Sequence, residues 1–534
     1  MQAHAVVEEK AVAYPKAAFG DSEEQFHSLT ARLQSTETEA MRHSDLEQLI
    51  EMEGRELMRR LLQDHLRLRA QREAERGLTG PVVGAEGEGR THQRPETERR
   101  LMTIFGPVEV ERVQYGGRGI NSLHPMDAEL NLPAESYSHG VRRRVADEVA
   151  RGSFDNAVAT MASTTGAPVP KRQVEELAIR AAADFDEFYQ ARAEKGRLDA
   201  ATTGPILVVT TDAKGVVMRK DDLREATRKA AETEKHKMRK RLSRGEKKNR
   251  KRMAMVAAVY TVAAFVRKPE DIVTNLYGIE DAKKKQKRPR PEHKRVWASV
   301  MKPASEVIGE AFSEAMLRDP DRIKQWVGLI DGNEPQLDEL ERLAKKLGID
   351  LHIILDIVHV IEYLWKAALV FCDEGTPEAE EWVTERLLRI LQGDSSLVAA
   401  GIRRSATRRG LRTKARENAD KCADYLLKYK GYMRYDEYLA KGFPIATGVI
   451  EGACRYLVND RLGITGARWG LDSAEAVLRL RSLRSSGHFD DYWRFHEQRE
   501  YLRNHAERYD CGTPPSIVPE PSTPRRRAHL QVVK

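Results

Sequence analysis

The chain has 534 residues, of which 32% are charged and 40% hydrophobic, with a formal net charge of +8. That length is too great for one ordinary core and argues for about two to four domains, while the positive surplus favours an acidic partner such as nucleic acid. The four cysteines (Cys372, Cys422, Cys454, Cys511) are scattered with no C-x-x-C pair, so neither a zinc ribbon nor a disulfide framework is signalled, and this usage fits a reducing compartment. The longest apolar run, "MAMVAAVYTVAAFV" at 253–266, is too short to span a bilayer, and the N-terminus lacks a basic-then-apolar signal pattern, so no membrane partner is expected.

In chain order, the first 25 residues carry little pattern. A helix is expected from Ser44, where "SDLE" reads as a capping box and Leu46, Leu49, Ile50, Leu57 and Leu61 recur at helical spacing. Residues 1–75 form an N-terminal helical region that could serve oligomerisation. The Gly- and Pro-rich stretch 76–96 reads as a linker, followed by a β-hairpin turning at Phe105-Gly106-Pro107, which together make up 76–135. Residues 136–195 read as three helices, the second and third separated by "TTGAPVP". A short turn before a helix opening on Lys171 and Arg172 is the layout of a helix-turn-helix that reads DNA, and also of any helical hairpin in a bundle.

From residue 204 the period changes. "PILVVTTD", "KGVVMR" and "MAMVAAVYTVAAFV" read as three successive strands, then helices alternate with the strands "QWVGLID" and "DLHIILDIVH". This pattern describes a mixed sheet covered by helices over 200–375, with an all-helical insertion at 376–440, a resumption at 441–512 and a Pro-rich, disordered tail at 513–534. Overall the chain reads as an α+β multidomain protein. Two basic runs, 219–252 and 281–295, would neutralise backbone phosphates without reading sequence.

Asp212 closes the first apolar strand and Asp331 closes "WVGLID". Open sheets place ligand sites at such carboxyl ends. Glu451 lies on an expected helix among the small residues Gly448, Gly452 and Ala453. Three converging carboxylates repel one another unless cations neutralise them, and hard oxygen donors suit Mg²⁺ or Mn²⁺. Two such ions about 3.5–4 Å apart can cut a phosphodiester. Each acid taken alone also reads as a cap or turn residue.

The stretches "VVTTDAKGV", "VGLIDG", "ILDIVHVIEYLW" and "GYMRYDEYLAKGFPIATGVIEGACRYLVNDRLGITGARWGLDSAEAVLRLRSLR" resemble the bacterial insertion-sequence DDE transposases of the ISKra-like group, related to Mutator-like enzymes. The resemblance covers roughly 100–500. It implies an RNase H-like domain of five strands with a helical insertion, and a helical N-terminal DNA-binding region. In that family the first Asp lies on the first strand, the second just after the fourth and the Glu on a late helix, which corresponds to Asp212, Asp331 and Glu451 holding two Mg²⁺ or Mn²⁺ ions. "DIVH" matches the D-x-x-H signature that the related Mutator-like enzymes carry downstream of their second Asp and makes Asp356 the rival second ligand; His359 beside it reads either as a residue that hydrogen-bonds a carboxylate or DNA phosphate or as a helix residue satisfied by packing.

Further DNA contacts are expected from Arg455, Arg461 and Arg468, from Trp469 stacking on a distorted base, and from Trp382 of the insertion stacking on an end base; either Trp could instead be core. The resemblance further implies double-stranded DNA partners (terminal inverted repeats and target), a homodimer or higher oligomer, and a bacterial cytoplasmic, nucleoid-associated location. The rival readings are a metal-dependent nuclease without strand transfer and a transposase-derived DNA-binding regulator.

Overall fold

The computed structural model describes residues 16–78, 80–195, 203–233, 246, 250–277, 287–464 and 466–517. Residues 1–15, most of the tail and much of both basic runs lie outside them. Among the described residues, no helix is long and apolar enough to cross a membrane. The chain is an α+β protein that divides into two compact units, one running to Asp184 and including the residues from Asp491 on, the other spanning Phe185–Asp490. The boundaries fall inside the expected segments 136–195 and 441–512.

In the first unit a 34-residue helix, α1 (His43–Arg76), packs on an antiparallel sheet of β1 (His92–Thr103), β2 (Gly106–Gly117) and β3 (Ile120–Leu123). The shared core holds Leu66, Leu101, Val108, Val110, Met126 and Leu132. The expected capping box does not form, because the backbone is already helical at His43 and the cap position falls on Arg42; an N-cap side chain works only from a non-helical residue. The hairpin turns near Phe105, as expected, with Gly106 at φ 134°, a conformation open to glycine alone. Its strands run further than their own apolar pattern suggests. Pairing extends to His92↔Gly116, so β1 begins inside the expected linker, held by its partner strand.

Glu73 of α1 is 1% exposed. Its Oε2 accepts from the Val113 amide of β2 at 2.9 Å, while its Oε1 has no partner. Burial pushes its carboxyl up to about 7, reinforced by Asp127 and Glu129. An acid with a raised folded pKa favours the fold at low pH, and that contribution is lost as pH climbs from about 4.5 to about 7. Glu73→Gln keeps an acceptor for Val113 without the charge. It should therefore stabilise the protein by about 2 kcal/mol at pH 8 and by almost nothing at pH 4, as read by urea unfolding at the two pH values.

Three further helices follow: α2 (His139–Arg151), α3 (Phe154–Thr164) and α4 (Lys171–Ala181), with Ser138 and Ser153 capping the first two. The long helix expected after Lys171 is broken at Ala182–Asp184. Asp184 is buried at the break and bound by His496 at 2.6 Å and by Arg503 through two contacts of 2.6 and 2.8 Å. The chain resumes in the second unit as α5 (Phe185–Lys195).

The second unit is built on a five-stranded mixed sheet: β4 (Ile206–Val217), β5 (Lys251–Val262), β6 (Glu292–Ser299), β7 (Gln325–Ile330) and β8 (Leu351–Leu355), in the order β8-β7-β4-β5-β6. β4, β5 and β6 pair antiparallel, whereas β7 and β8 run parallel to β4. Two strand expectations need correction. "KGVVMR" is the continuation of β4, because pairing with β5 carries on through Val217↔Lys251 and no turn forms at Lys214-Gly215. β6 was hidden in the basic run: His293, Lys294 and Arg295 precede the buried Val296, Trp297 and Ala298.

Arg295 is consequently a core residue and has no access to phosphate. It and Arg318 of α6 (Ala304–Arg318) grip Glu314 of the same helix, with Arg295 Nη1 at 2.6 Å and Arg318 Nε and Nη2 at 2.9 and 2.6 Å. The Arg295 guanidinium lies 3.5 Å from the Tyr189 ring centroid and 4.4 Å from that of Trp297. α7 (Glu334–Leu347) and α8 (Ile357–Ala368) follow β7 and β8. The segment 376–440 is helical, with α9 (Pro377–Leu391), α10 (Ser395–Arg408), α11 (Thr413–Lys428) and a short helix Tyr435–Ala440. The chain then forms α12 (Gly448–Ala453), a π-helical segment at Cys454–Asn459, and α13 (Leu471–Ser485).

Candidate active site

The apolar residues Ile206–Val209 and the threonines 210 and 211 are buried at the centre of the sheet; exposure begins at Asp212. The parallel register of β4 and β7 runs from Ile206↔Gln325 to Thr210↔Leu329, and two further steps bring Asp212 level with Asp331. The register of β7 and β8 ends at Leu355↔Ile330, and one further step brings Asp356 level with Asp331. All three aspartates thus lie along one row: Asp331 and Asp356 just past the carboxyl ends of β7 and β8, and Asp212 beside them inside β4, which does not end there as expected but runs on to Val217. This row is the physical origin of the ambiguity over the second acid.

A cleft of about 360 Å³ opens above that row, lined by Asp212, Lys214, Asp331, His359, Thr447 and Glu451, with Glu362 and Asn459 at its margin. Asp212 Oδ2 receives Lys214 Nζ at 2.9 Å and the Cys454 thiol at 3.2 Å, and its Oδ1 accepts from the Ala213 amide at 2.6 Å. Burial pushes the Cys454 thiol far up, aided by Asp212, so it stays protonated and donates. Asp331 lies in a tight turn: its Oδ1 accepts from the Asn333 amide at 3.0 Å, and Gly332 has φ 91°.

Asp356 is placed differently. It is fully buried and caps α8 through the Val358 amide at 3.0 Å. The Thr447 hydroxyl donates to its Oδ2, the Thr447 amide approaches Oδ1 at 3.3 Å, and His359 Nδ1 lies 3.3 Å from Oδ2. With both oxygens engaged, Asp356 orients His359, whose imidazole is raised above its ordinary pKa chiefly by this bond, against the opposing effect of burial. One potential ligand atom each from Asp356, His359 and Glu451 lies within 4.8 Å of the others, so these residues also form a possible metal-binding group. Glu451 is exposed at the rim; partial burial, then Asp356 and Asp212, hold its carboxyl above the usual range.

The structure therefore gathers Asp212, Asp331, Glu451 and His359 around one cleft, with Asp356 directly beneath. Sequence reasoning missed Lys214, Thr447, Cys454, Glu362 and Asn459. Lys214 alone carried a usable signal, since residues two apart on a strand share a face.

The expected DNA contacts fare unevenly. Arg455 and Arg468 are exposed, with Arg455 3.8 Å from Asp460. Arg461 is only 5% exposed and its guanidinium lies 4.6 Å from the ring of Trp469, itself 6% exposed. Trp469 belongs to the core: its amide and carbonyl hydrogen-bond Val217 and Arg219 at the end of β4, and its indole donates to Leu462. Neither residue can meet a phosphate or a base from that position. Trp382 is partly buried, stacked on Phe371 with ring centroids 5.5 Å apart and covered by Arg386 at 3.9 Å, so its ring is already engaged. Lys171 and Arg172 are exposed at the start of α4, paired with Asp155 and Glu176.

Compared with known proteins, the chain matches no family model and finds no match among curated proteins.

Proposed function

We propose that this chain is a DNA transposase of the DDE class, with an RNase H-like catalytic domain, that binds the ends of its own element and performs metal-dependent strand cleavage and strand transfer. The observation that carries this reading is the meeting in one cleft of Asp212, Asp331 and Glu451, which lie more than a hundred residues apart in the chain. The first acid is on the first and central strand, the second just after the fourth, and the glutamate on a late helix after a helical insertion. That is the order the resemblance to insertion-sequence transposases implies.

The donor set suits divalent Mg²⁺ or Mn²⁺: hard carboxylate oxygens of Asp212, Asp331 and Glu451 line one cleft, and partial burial, then Asp356 and Asp212, hold the Glu451 carboxyl above its usual range. Asp212, Asp331 and Glu451 would hold two such ions, which when bound supply activation of a water or 3′-hydroxyl and stabilisation of the leaving oxygen. The chain's own residues do the rest. Asp356 fixes the His359 ring at the cleft wall. Lys214 carries a positive charge beside Asp212, where a scissile phosphate would approach. Arg455 and Arg468 offer exposed guanidinium groups for backbone phosphates. A homodimer or higher assembly would bring two element ends together.

An element-end duplex incubated with the protein and Mn²⁺ tests the reading. Cleavage followed by joining of the 3′-hydroxyl end to a target duplex is expected. Cleavage without joining would instead make the protein a nuclease, and binding without cleavage a regulator. Binding of the same duplex should weaken at least tenfold between about 50 and about 200 mM salt, measured by fluorescence anisotropy.

A further inference from the structure

The helical insertion reaches the ends of the two strands that lead to the middle aspartates through a row of tyrosines. Tyr425 of α11 donates its hydroxyl to the Asp331 carbonyl at 3.2 Å, and Tyr429, one turn on, donates to the Gly332 carbonyl at 2.6 Å. Further along, Tyr435 donates to the Leu355 carbonyl at 2.8 Å and Tyr438 to the Ile353 carbonyl at 3.3 Å. The first pair holds the turn that carries Asp331, and the second holds the strand that leads to Asp356.

The Asp331–Gly332 turn has left the sheet, so its carbonyls have lost ladder partners. Gly332 sits at φ 91°, where an added Cβ would come within 3.4 Å of Tyr425. Tyr425 is itself fixed, stacked on Tyr363 of α8 with centroids 4.0 Å apart and planes 11° from parallel. A rigid aromatic pair therefore presents one hydroxyl to the turn, and the next helical turn presents another. Small misplacements of a reacting group are costly out of proportion to their size, and residues that lock a ligand's backbone act on its affinity.

We infer that Tyr425 and Tyr429 are positioning residues for the metal site: the helical insertion sets the geometry of Asp331 through their two hydroxyls. The inference rests on the proposed reading of Asp331 as a metal ligand. Tyr→Phe at each position removes the hydroxyl but keeps the ring, so the stack on Tyr363 survives.

The test is Mn²⁺ titration of the full chain by calorimetry, alongside thermal unfolding. Wild type should bind Mn²⁺, and Asp212→Asn and Asp331→Asn should each bind it far more weakly. Y425F/Y429F should weaken Mn²⁺ binding about tenfold, for two lost hydrogen bonds, with each single variant showing part of that loss. Y432F is the control, because the Tyr432 hydroxyl donates to Glu341, outside the turn; it should bind as wild type does. Wild-type Mn²⁺ affinity in Y425F/Y429F, or in both single variants should the double variant fail to fold, overturns the inference alone. A loss in Y435F/Y438F with none in Y425F/Y429F also overturns it and moves the second acid to Asp356. A wild type that binds no Mn²⁺, or an Asp212→Asn variant that binds it normally, defeats the metal-site reading itself.

Discussion

Asp212→Asn should abolish cleavage of an element-end duplex, lowering the rate by about a thousandfold or more, with little change in melting temperature. The expected size follows from what the residue does. It lies where the buried half of the central strand gives way to its exposed half, lines the cleft and offers Oδ2 where Lys214 and Cys454 already converge. An amide there is neutral and a poor ligand for a hard divalent cation, and loss of metal-supplied charge stabilisation removes several kcal/mol from the transition state. Asp331→Asn should match it. Asp356→Asn should behave differently: its carboxylate is fully buried and receives the Thr447 hydroxyl, the Val358 amide and His359, so the amide variant disturbs packing and should lower the melting temperature as well as activity. Gel-resolved cleavage with Mn²⁺, paired with circular dichroism melts, separates the patterns. Retained cleavage in Asp212→Asn would remove the basis for any enzymatic role.

Glu314→Gln carries the largest expected loss of stability. The carboxylate is enclosed by Arg295 and Arg318, and all three side chains are at most 8% exposed. Burial alone would raise its pKa, but the two guanidinium groups outweigh it and hold the carboxyl down at about 2. Neutralising Glu314 leaves two buried cations facing each other, and breaking a buried pair in this way costs about 3–5 kcal/mol. The same group sets an acid limit. Its folded pKa lies below its unfolded value, so its contribution is present above about pH 4.5 and lost as pH falls toward about 2. Urea unfolding at pH 7 should show the full deficit of Glu314→Gln, and the gap from wild type should narrow as the pH is lowered through that window. Equal stability of the two proteins at pH 7 would show that the cluster contributes nothing.

How far the site was readable depended on whether local pattern or long-range pairing decided each residue. Asp212 was legible because a second carboxylate, Asp331, closes a matching apolar run; alone it reads equally as a cap or turn residue. Asp331 and Asp356 were both legible as strand ends, yet their ranking was not, because parallel register sets them side by side and the sequence of each strand end looks alike. β6 was obscured by its own basic residues, which the fold buries against Glu314 and aromatic rings. Arg461 and Trp469 read as DNA contacts because residue type was the only guide; their burial arises from packing against the far end of β4, some 250 residues earlier in the chain. The mixed sheet and the helical character of 376–440 came through because their periodicities are strong and local. The capping box failed because a one-residue shift in helix start removes its geometry.

The π-helical turn after Glu451 has a geometric consequence for tolerance to insertion and deletion. Glu451 and Asn459 both line the cleft, eight positions apart. On an uninterrupted α-helix they would diverge by about 80° around the axis, whereas one extra residue taken up in the wide turn brings them to within about 20°. A single-codon deletion within Cys454–Val458 would tighten that turn into an ordinary one and leave Asn459 seven α-helical steps from Glu451, still within about 20°, whereas the same deletion in an ordinary stretch of helix would swing everything beyond it through about 100°.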